Sequence, residues 1–304
     1  MEEILKSRLV LGTAGLAGLW GAVDQRESIQ VLHRAWEWGI THVDTAPAYA
    51  DAETLLSKAL QQWSGPSPMI STKVGKLSSP DPDALCMDYR PAAIRASVEQ
   101  SLRLFRRDAI DRVFLHDPTL MKPEEIAPAM EVLVELQQSG KIRSIGIGGN
   151  FDTEFTPYAT SGVFDCFMGY NRYNAIVQSA AEEEFPLVRS AGLEIWQASP
   201  LYMGLLGRRY EQLIRISPEW IALEHLERAR FLHDWSAERG ASMPALAVHF
   251  LIGSTWPDRI VLGASGMQDL EETFSLLVDP HMVSLAEEWR ALLKGGGIFG
   301  KKVH

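Results

Sequence analysis

The sequence predicts one (β/α)8 TIM barrel, read as a single domain over residues 1–304. Short apolar runs alternate with amphipathic helical segments eight times. The runs are apolar on both faces, as parallel strands covered by helices must be. The first run also lacks the Gly-x-Gly-x-x-Gly turn of an open dinucleotide-binding sheet, since Gly12-Thr13-Ala14-Gly15 is too short a match. Barrels often exceed the average domain length, so 304 residues need not mean two domains.

The candidate strands are Arg8–Gly12, Thr41–Thr45, Pro68–Lys73, Asp111–His116, Ile142–Gly148, Phe164–Tyr170, Leu193–Ser199 and Arg259–Gly263. Between the first two, Asp24 and Glu27 resemble a capping box and Gly39 a C-terminal cap, with Ile29, Leu32 and Trp36 on one face. Pro91 stands at a first helical position ahead of Ile94, Val98, Leu102 and Phe105. Pro123 does the same for Ile126, Met130 and Leu133, and Gly140 ends that helix. Two long connections, Val74–Arg90 with its Pro80-Asp81-Pro82-Asp83 run and Tyr202–Ser217 with Arg208 and Arg209, fall on one rim. Long rim loops often close over ligands. The Gly295-Gly296-Gly297 tail reads as a flexible terminus.

Hydrophobic residues make up 46% of the chain and charged residues 22%, enough for a large core. A net charge of −10 argues against a nucleic-acid surface. No apolar run approaches the ~20 residues that cross a bilayer, and the acidic start Met1-Glu2-Glu3 lacks a signal-peptide core. Cys86 and Cys166 offer no disulfide framework and fit a reducing compartment. A cytoplasmic protein with a small-molecule substrate, and no nucleic-acid or membrane partner, is expected.

In a barrel, chemistry gathers at the C-terminal strand ends. Asp44 lies at the end of the second predicted strand, Tyr49 in the loop after it, Lys73 closes the third strand and His116 the fourth. A phenol ordinarily loses its proton near pH ~10. An ammonium about 4 Å away favours the phenolate by roughly 4 kcal/mol, or about three pKa units, before the opposing cost of burial. Asp44 would keep Lys73 charged, and His116 would orient a carbonyl oxygen. Such a set suits the interconversion of a carbonyl and an alcohol. No side chain transfers hydride, so a nicotinamide is implied. Aromatics read as rim residues, Trp20, Tyr49, Tyr89, Tyr170, Trp196 and Tyr202, are candidates for a sugar-stacking pocket, with Trp20 foremost.

At these positions the chain resembles the aldo-keto reductases. The family's Asp-Thr-Ala-x-x-Tyr stands as Asp44-Thr45-Ala46-Pro47-Ala48-Tyr49, and Lys73 and His116 complete its tetrad. The His116-Asp117-Pro118 form and the run Ala198-Ser199-Pro200-Leu201-Tyr202-Met203-Gly204-Leu205-Leu206 look most like the aldose (galactose- and fucose-type) dehydrogenase branch. That resemblance implies an NAD(P)-dependent enzyme acting at an aldehyde or at sugar C1. It implies that Asp44, Tyr49, Lys73 and His116 are catalytic, and that Trp20, Tyr49 and His116 meet the substrate. Gly12, Thr13, Asp44, Asn150, Tyr170, Ser199, Leu201, Gly204, Leu205, Gly263, Ser265, Asp269 and Glu272 would meet the cofactor. Gly149 stands where the family usually has serine, and Ala198 where many members stack a tyrosine. The family's lysine and arginine for a 2′-phosphate align with Gly263 and Asp269, so the resemblance implies NAD over NADP.

A second class is a regulatory module of this fold that binds nicotinamide without turnover. A metal-dependent hydrolase would need clustered histidines, and the eight here include no His-x-His pair. A Schiff-base aldolase using Lys73 conflicts with Asp44, which favours the protonated amine.

Overall fold

The computed structural model describes residues 6–79, 86–275, 277 and 279–294. The Pro80–Asp83 run and the Gly295–Gly297 tail lie outside them. In chain order the strands are β1 (Leu9–Gly12), β2 (His42–Asp44), β3 (Met69–Val74), β4 (Lys76–Leu77), β5 (Cys86–Met87), β6 (Arg112–His116), β7 (Ile145–Gly148), β8 (Cys166–Tyr170), β9 (Glu194–Ala198) and β10 (Arg259–Gly263). Eight of them, all but β4 and β5, form a closed parallel barrel in the order β1-β10-β9-β8-β7-β6-β3-β2. The helices are α1 (Gln25–Glu37), α2 (Ala52–Gln62), α3 (Pro91–Phe105), α4 (Pro123–Gln138), α5 (Thr156–Ala159), α6 (Glu184–Ser190), α7 (Tyr210–Ile216), α8 (Leu223–Ala237), α9 (Met243–Ile252), α10 (Met267–Ser275) and α11 (Pro280–Lys294).

All eight predicted strands are present, most trimmed by one to three residues at their ends. Ile142 makes only an isolated bridge to Ile110, so β7 begins at Ile145. Val74 pairs with Leu115, which carries β3 one residue past Lys73. The Val74–Arg90 connection is not wholly loop: β4 and β5 form an antiparallel hairpin within it. The Tyr202–Ser217 connection likewise contains α7. Asp24 caps α1 by accepting from the Arg26 N–H at 2.7 Å. Glu27 does not complete the capping box. Its carboxylate crosses to the N–H of Met267, at the start of α10, at 2.9 Å.

Strand alternation sorts side chains into two cores. Leu9, Leu11, Val43, Ile70, Val113, Leu115, Ile145, Ile147, Ile195, Ile260 and Leu262 pack outward beneath the helices. Val10, Phe114, Cys166, Met168, Trp196 and Val261 fill the barrel interior. Trp196 is therefore an interior residue, not a rim aromatic. It lies two residues below Ala198 on the same strand face, one layer deeper.

Below this apolar layer the floor is charged. Glu194 accepts from Arg112 at 2.7 Å and from Arg259 at 2.8 Å. The two guanidinium carbons lie 4.8 and 5.8 Å from the Trp196 ring centroid, and the His42 ring meets Trp196 nearly edge-on. Burial, then the nearby Arg259, lowers the His42 pKa to about 4. Folded His42 is thus neutral where an unfolded histidine has begun to take up a proton. Stability should fall as pH drops from about 6.5 towards 4 as this group comes to favour the unfolded chain. In His42→Gln, urea unfolding measured across that range should show a shallower acid loss than wild type, with the two curves converging as pH falls.

Candidate active site

The alternation that buries Phe114 and Trp196 brings Asp44, Lys73 and His116 to the layer above them. Asp44 sits in register with Gly12 on one side and Ser71 on the other. Its Oδ2 accepts from the Lys73 ammonium and its Oδ1 from the Ser71 hydroxyl at 2.7 Å. Lys73 Nζ also donates to the Thr45 carbonyl at 3.0 Å. Both side chains are almost fully buried, so each charge relies on the other and on these polar partners in place of water. Burial alone would lower the Lys73 pKa, but Asp44 and then Tyr49 prevail and raise it.

The turn after β2 brings Tyr49 back over this pair. Tyr49 N–H donates to the Ala46 carbonyl at 3.0 Å, and Ala50 adopts a left-handed φ of 46°. Lys73 Nζ lies 4.7 Å from the Tyr49 ring centroid. Tyr49 and His116 meet edge to face, with centroids 5.9 Å apart at 90°. Burial pushes the Tyr49 phenol above its ordinary pKa, and Lys73 pulls it down without overcoming that push. The expected ammonium-driven shift is therefore present but outweighed, and the phenol holds its proton at neutral pH. Burial, then Lys73 and Lys76, drives the His116 pKa well below its usual value. The imidazole is neutral and carries one N–H. Its Nδ1 is buried and unpaired among the described residues.

A second charge pair borders His116. Lys76 Nζ donates to Asp117 Oδ2 at 2.7 Å, and His116 Nε2 lies 3.9 Å from the same oxygen. The Tyr89 hydroxyl lies 2.7 and 2.9 Å from the carbonyl oxygens of His116 and Asp117. Tyr89 is thus a buried brace rather than a pocket lining. Gly75, at φ +98°, makes room for its ring, which lies 2.2 Å from where a Cβ would stand. The sequence placed Asp117 in a motif but not in a role, and it left Lys76 unmarked. The available signal was a lysine three residues beyond Lys73 on the same rim.

Apart from Asp44 on β2 and Asp269 and Glu272 on α10, the residues assigned to the cofactor lie at or just beyond the β1, β7, β8, β9 and β10 ends. Gly12 and Gly263 are register partners, and Thr13 is buried with its hydroxyl 3.1 Å from the Asp44 carbonyl. Asn150 bridges the Tyr170 backbone, donating to its carbonyl at 3.1 Å and accepting from its N–H at 3.2 Å. One amide proton of Asn150 remains for a ligand. Ser199 and Met203 adopt positive φ, and the Ser199 hydroxyl faces Met203 Sδ at 3.6 Å. Leu201 is half-buried beside Gly204. Leu205 belongs to the core, and its N–H is taken by the Tyr202 carbonyl, so the structure leaves it neither side chain nor N–H for a ligand.

Asp269 is not a free carboxylate. It accepts from the Ser265 N–H at 2.9 Å and pairs with Arg208 at 3.0 Å, while Arg208 also donates to the Ser265 hydroxyl. Glu272 accepts from Gln268 at 2.7 Å. Trp20 is 46% exposed, and its indole lies 3.6 Å from where a Cβ on Gly263 would stand. Among the described residues it has no ring contact with Tyr49 or His116, so the structure sets it at the β10 end assigned to the cofactor.

The aldo/keto reductase family profile matches residues 8–290. A D-threo-aldose 1-dehydrogenase from a Pseudomonas species is 28% identical over 282 residues, covering 84% of each chain. The L-galactose dehydrogenase of Arabidopsis thaliana is 24% identical, over 93% of this chain and 88% of its own. The structure of a glycerol dehydrogenase from Gluconobacter oxydans superposes with a TM-score of 0.75 at 22% identity, covering 98% and 94% of the two chains, a likeness of fold. With the tetrad motif in place on a closed parallel barrel and the profile spanning nearly all of it, this chain belongs to the aldo/keto reductase family of oxidoreductases.

Proposed function

We propose that this protein is a nicotinamide-dependent oxidoreductase that interconverts an aldehyde or sugar C1 carbonyl with its alcohol or hydroxyl form. The observation that carries the reading is the meeting of Tyr49, Lys73, Asp44 and His116 in one layer at the barrel mouth. Asp44 holds the Lys73 ammonium in place, and Lys73 faces the Tyr49 ring. Tyr49, protonated at neutral pH, donates its proton to the carbonyl oxygen during reduction and takes it back during oxidation. Neutral His116 offers one N–H to the same oxygen. The similarity to sugar dehydrogenases supports a polyhydroxylated substrate.

The residues present fit a nicotinamide cofactor. Asn150 keeps an amide proton for a carboxamide, and the buried Thr45 hydroxyl beside Asp44 has no partner among the described residues. When bound, the cofactor supplies or accepts the hydride. NAD preference draws support from Glu27, whose carboxylate already occupies the first N–H of α10. A 2′-phosphate there would meet negative charge at the helix end that would otherwise attract it.

Tyr49→Phe should lower turnover by about 10²- to 10⁴-fold while leaving NADH affinity, read by fluorescence quenching, nearly unchanged. Wild type that quenches NADH but turns over no aldehyde or sugar would instead mark a binding module. For aldehyde reduction, kcat/KM should be flat between about pH 6 and 8 and fall only in the alkaline range. The sign follows from a phenol pushed up, which keeps its proton, and an imidazole pushed down, which stays neutral. The ratio of kcat/KM for NAD over NADP should exceed one, and a ratio well below one would refute that preference.

A further inference from the structure

The Asp117–Lys76 pair sits beside His116, whose imidazole Lys76 helps to keep neutral, yet none of the roles above uses the Asp117 carboxylate. Asp117 follows His116 directly and holds a left-handed φ of 49°, a strained conformation for a residue with a Cβ. The surroundings impose it: the Tyr89 hydroxyl faces its carbonyl, and its N–H donates to the Gly148 carbonyl at 2.7 Å. Strain held this firmly next to a reacting group points to a use for the side chain.

The carboxylate is divided in function. Oδ2 takes Lys76 and lies nearest the His116 ring. Oδ1 has no hydrogen-bond partner among the described residues, and no side chain from Gly149 screens it. The Asp117 and Lys76 side chains are 12% and 27% exposed, so neither is sealed from solvent. Lys76 has two further N–H donors beyond the one given to Asp117. Asp117 Oδ2 lies 3.9 Å from His116 Nε2, and the His116 ring meets Tyr49 with centroids 5.9 Å apart, which places the pair within the same mouth. An open carboxylate oxygen paired with a partly free ammonium offers an acceptor and a donor side by side, as a hydroxyl requires. A plain alkyl aldehyde gains nothing from either.

We propose that Asp117, held by Lys76, is the specificity-determining acceptor for a hydroxyl on the carbon adjacent to the reacting carbonyl, so that the enzyme selects 2-hydroxy carbonyl compounds over their unsubstituted counterparts. This rests on the oxidoreductase reading above and names the substrate feature that its site recognises.

Glyceraldehyde and propanal differ in the hydroxyls that test this, and both can be assayed with NADH and NADPH in wild type, Asp117→Asn and Lys76→Met. Wild type should prefer glyceraldehyde in kcat/KM by about tenfold or more. Asp117→Asn should bring that preference down towards one, chiefly through KM for glyceraldehyde, with propanal changed by less than about threefold. Lys76→Met should shift the preference in the same direction, and it decides the matter if circular dichroism shows Asp117→Asn unfolded. Parallel loss on both aldehydes would mean that the pair merely holds His116, and would overturn the proposal while leaving the oxidoreductase reading intact. An unchanged preference would overturn it as well. Wild type inert towards both aldehydes with both cofactors would overturn the two readings together.

Discussion

A buried ion pair organises the upper half of this barrel. Asp44 and Lys73 come from neighbouring parallel strands, and each is nearly sealed from water. Removing one partner of such a pair leaves an uncompensated charge, at a cost of about 3–5 kcal/mol. The barrel offsets the burial with the Ser71 hydroxyl and the Thr45 carbonyl, both on the two strands involved or the turn that follows. The atoms that set the position of the proposed acid/base thus also set local stability. The Tyr49 loop cannot move far without exposing that pair, which is a physical reason for the phenol to stay in place.

The electrostatics of the mouth reflect burial more than charge. Lys73 does pull on the Tyr49 proton, but the apolar surroundings pull the other way and prevail. The same surroundings, aided by two ammonium groups, keep His116 uncharged. The result is a pair of neutral hydrogen-bond donors beside a fixed cation. That arrangement favours an oxygen that gains negative charge during reaction, and it avoids a full positive charge on the imidazole.

Strand count, strand order around the barrel and the tetrad were legible in the sequence because each rests on local pattern. An apolar run ending in Lys73 or His116 says both where a strand stops and which rim it serves. Residues whose place depends on three-dimensional detail were harder to read. Trp20 sits in a loop, and no periodicity tells which strand end its indole will cover. Glu27 has the spacing of a capping box, but its carboxylate finds a better donor 240 positions away in sequence, at the start of α10. Trp196 was misread although its position was available: alternation from Ala198 puts it one layer down. Burial of the phenol could not be weighed against the ammonium without coordinates.

The glycine at 149 ties the space above β7 to the aspartate that follows His116. A Cβ there would stand 2.7 Å from Asp117 Oδ1 and 3.0 Å from its Cα, with the backbone at φ +141°. A side chain at that point would have to displace the Asp117 carboxylate and shift the backbone that carries it.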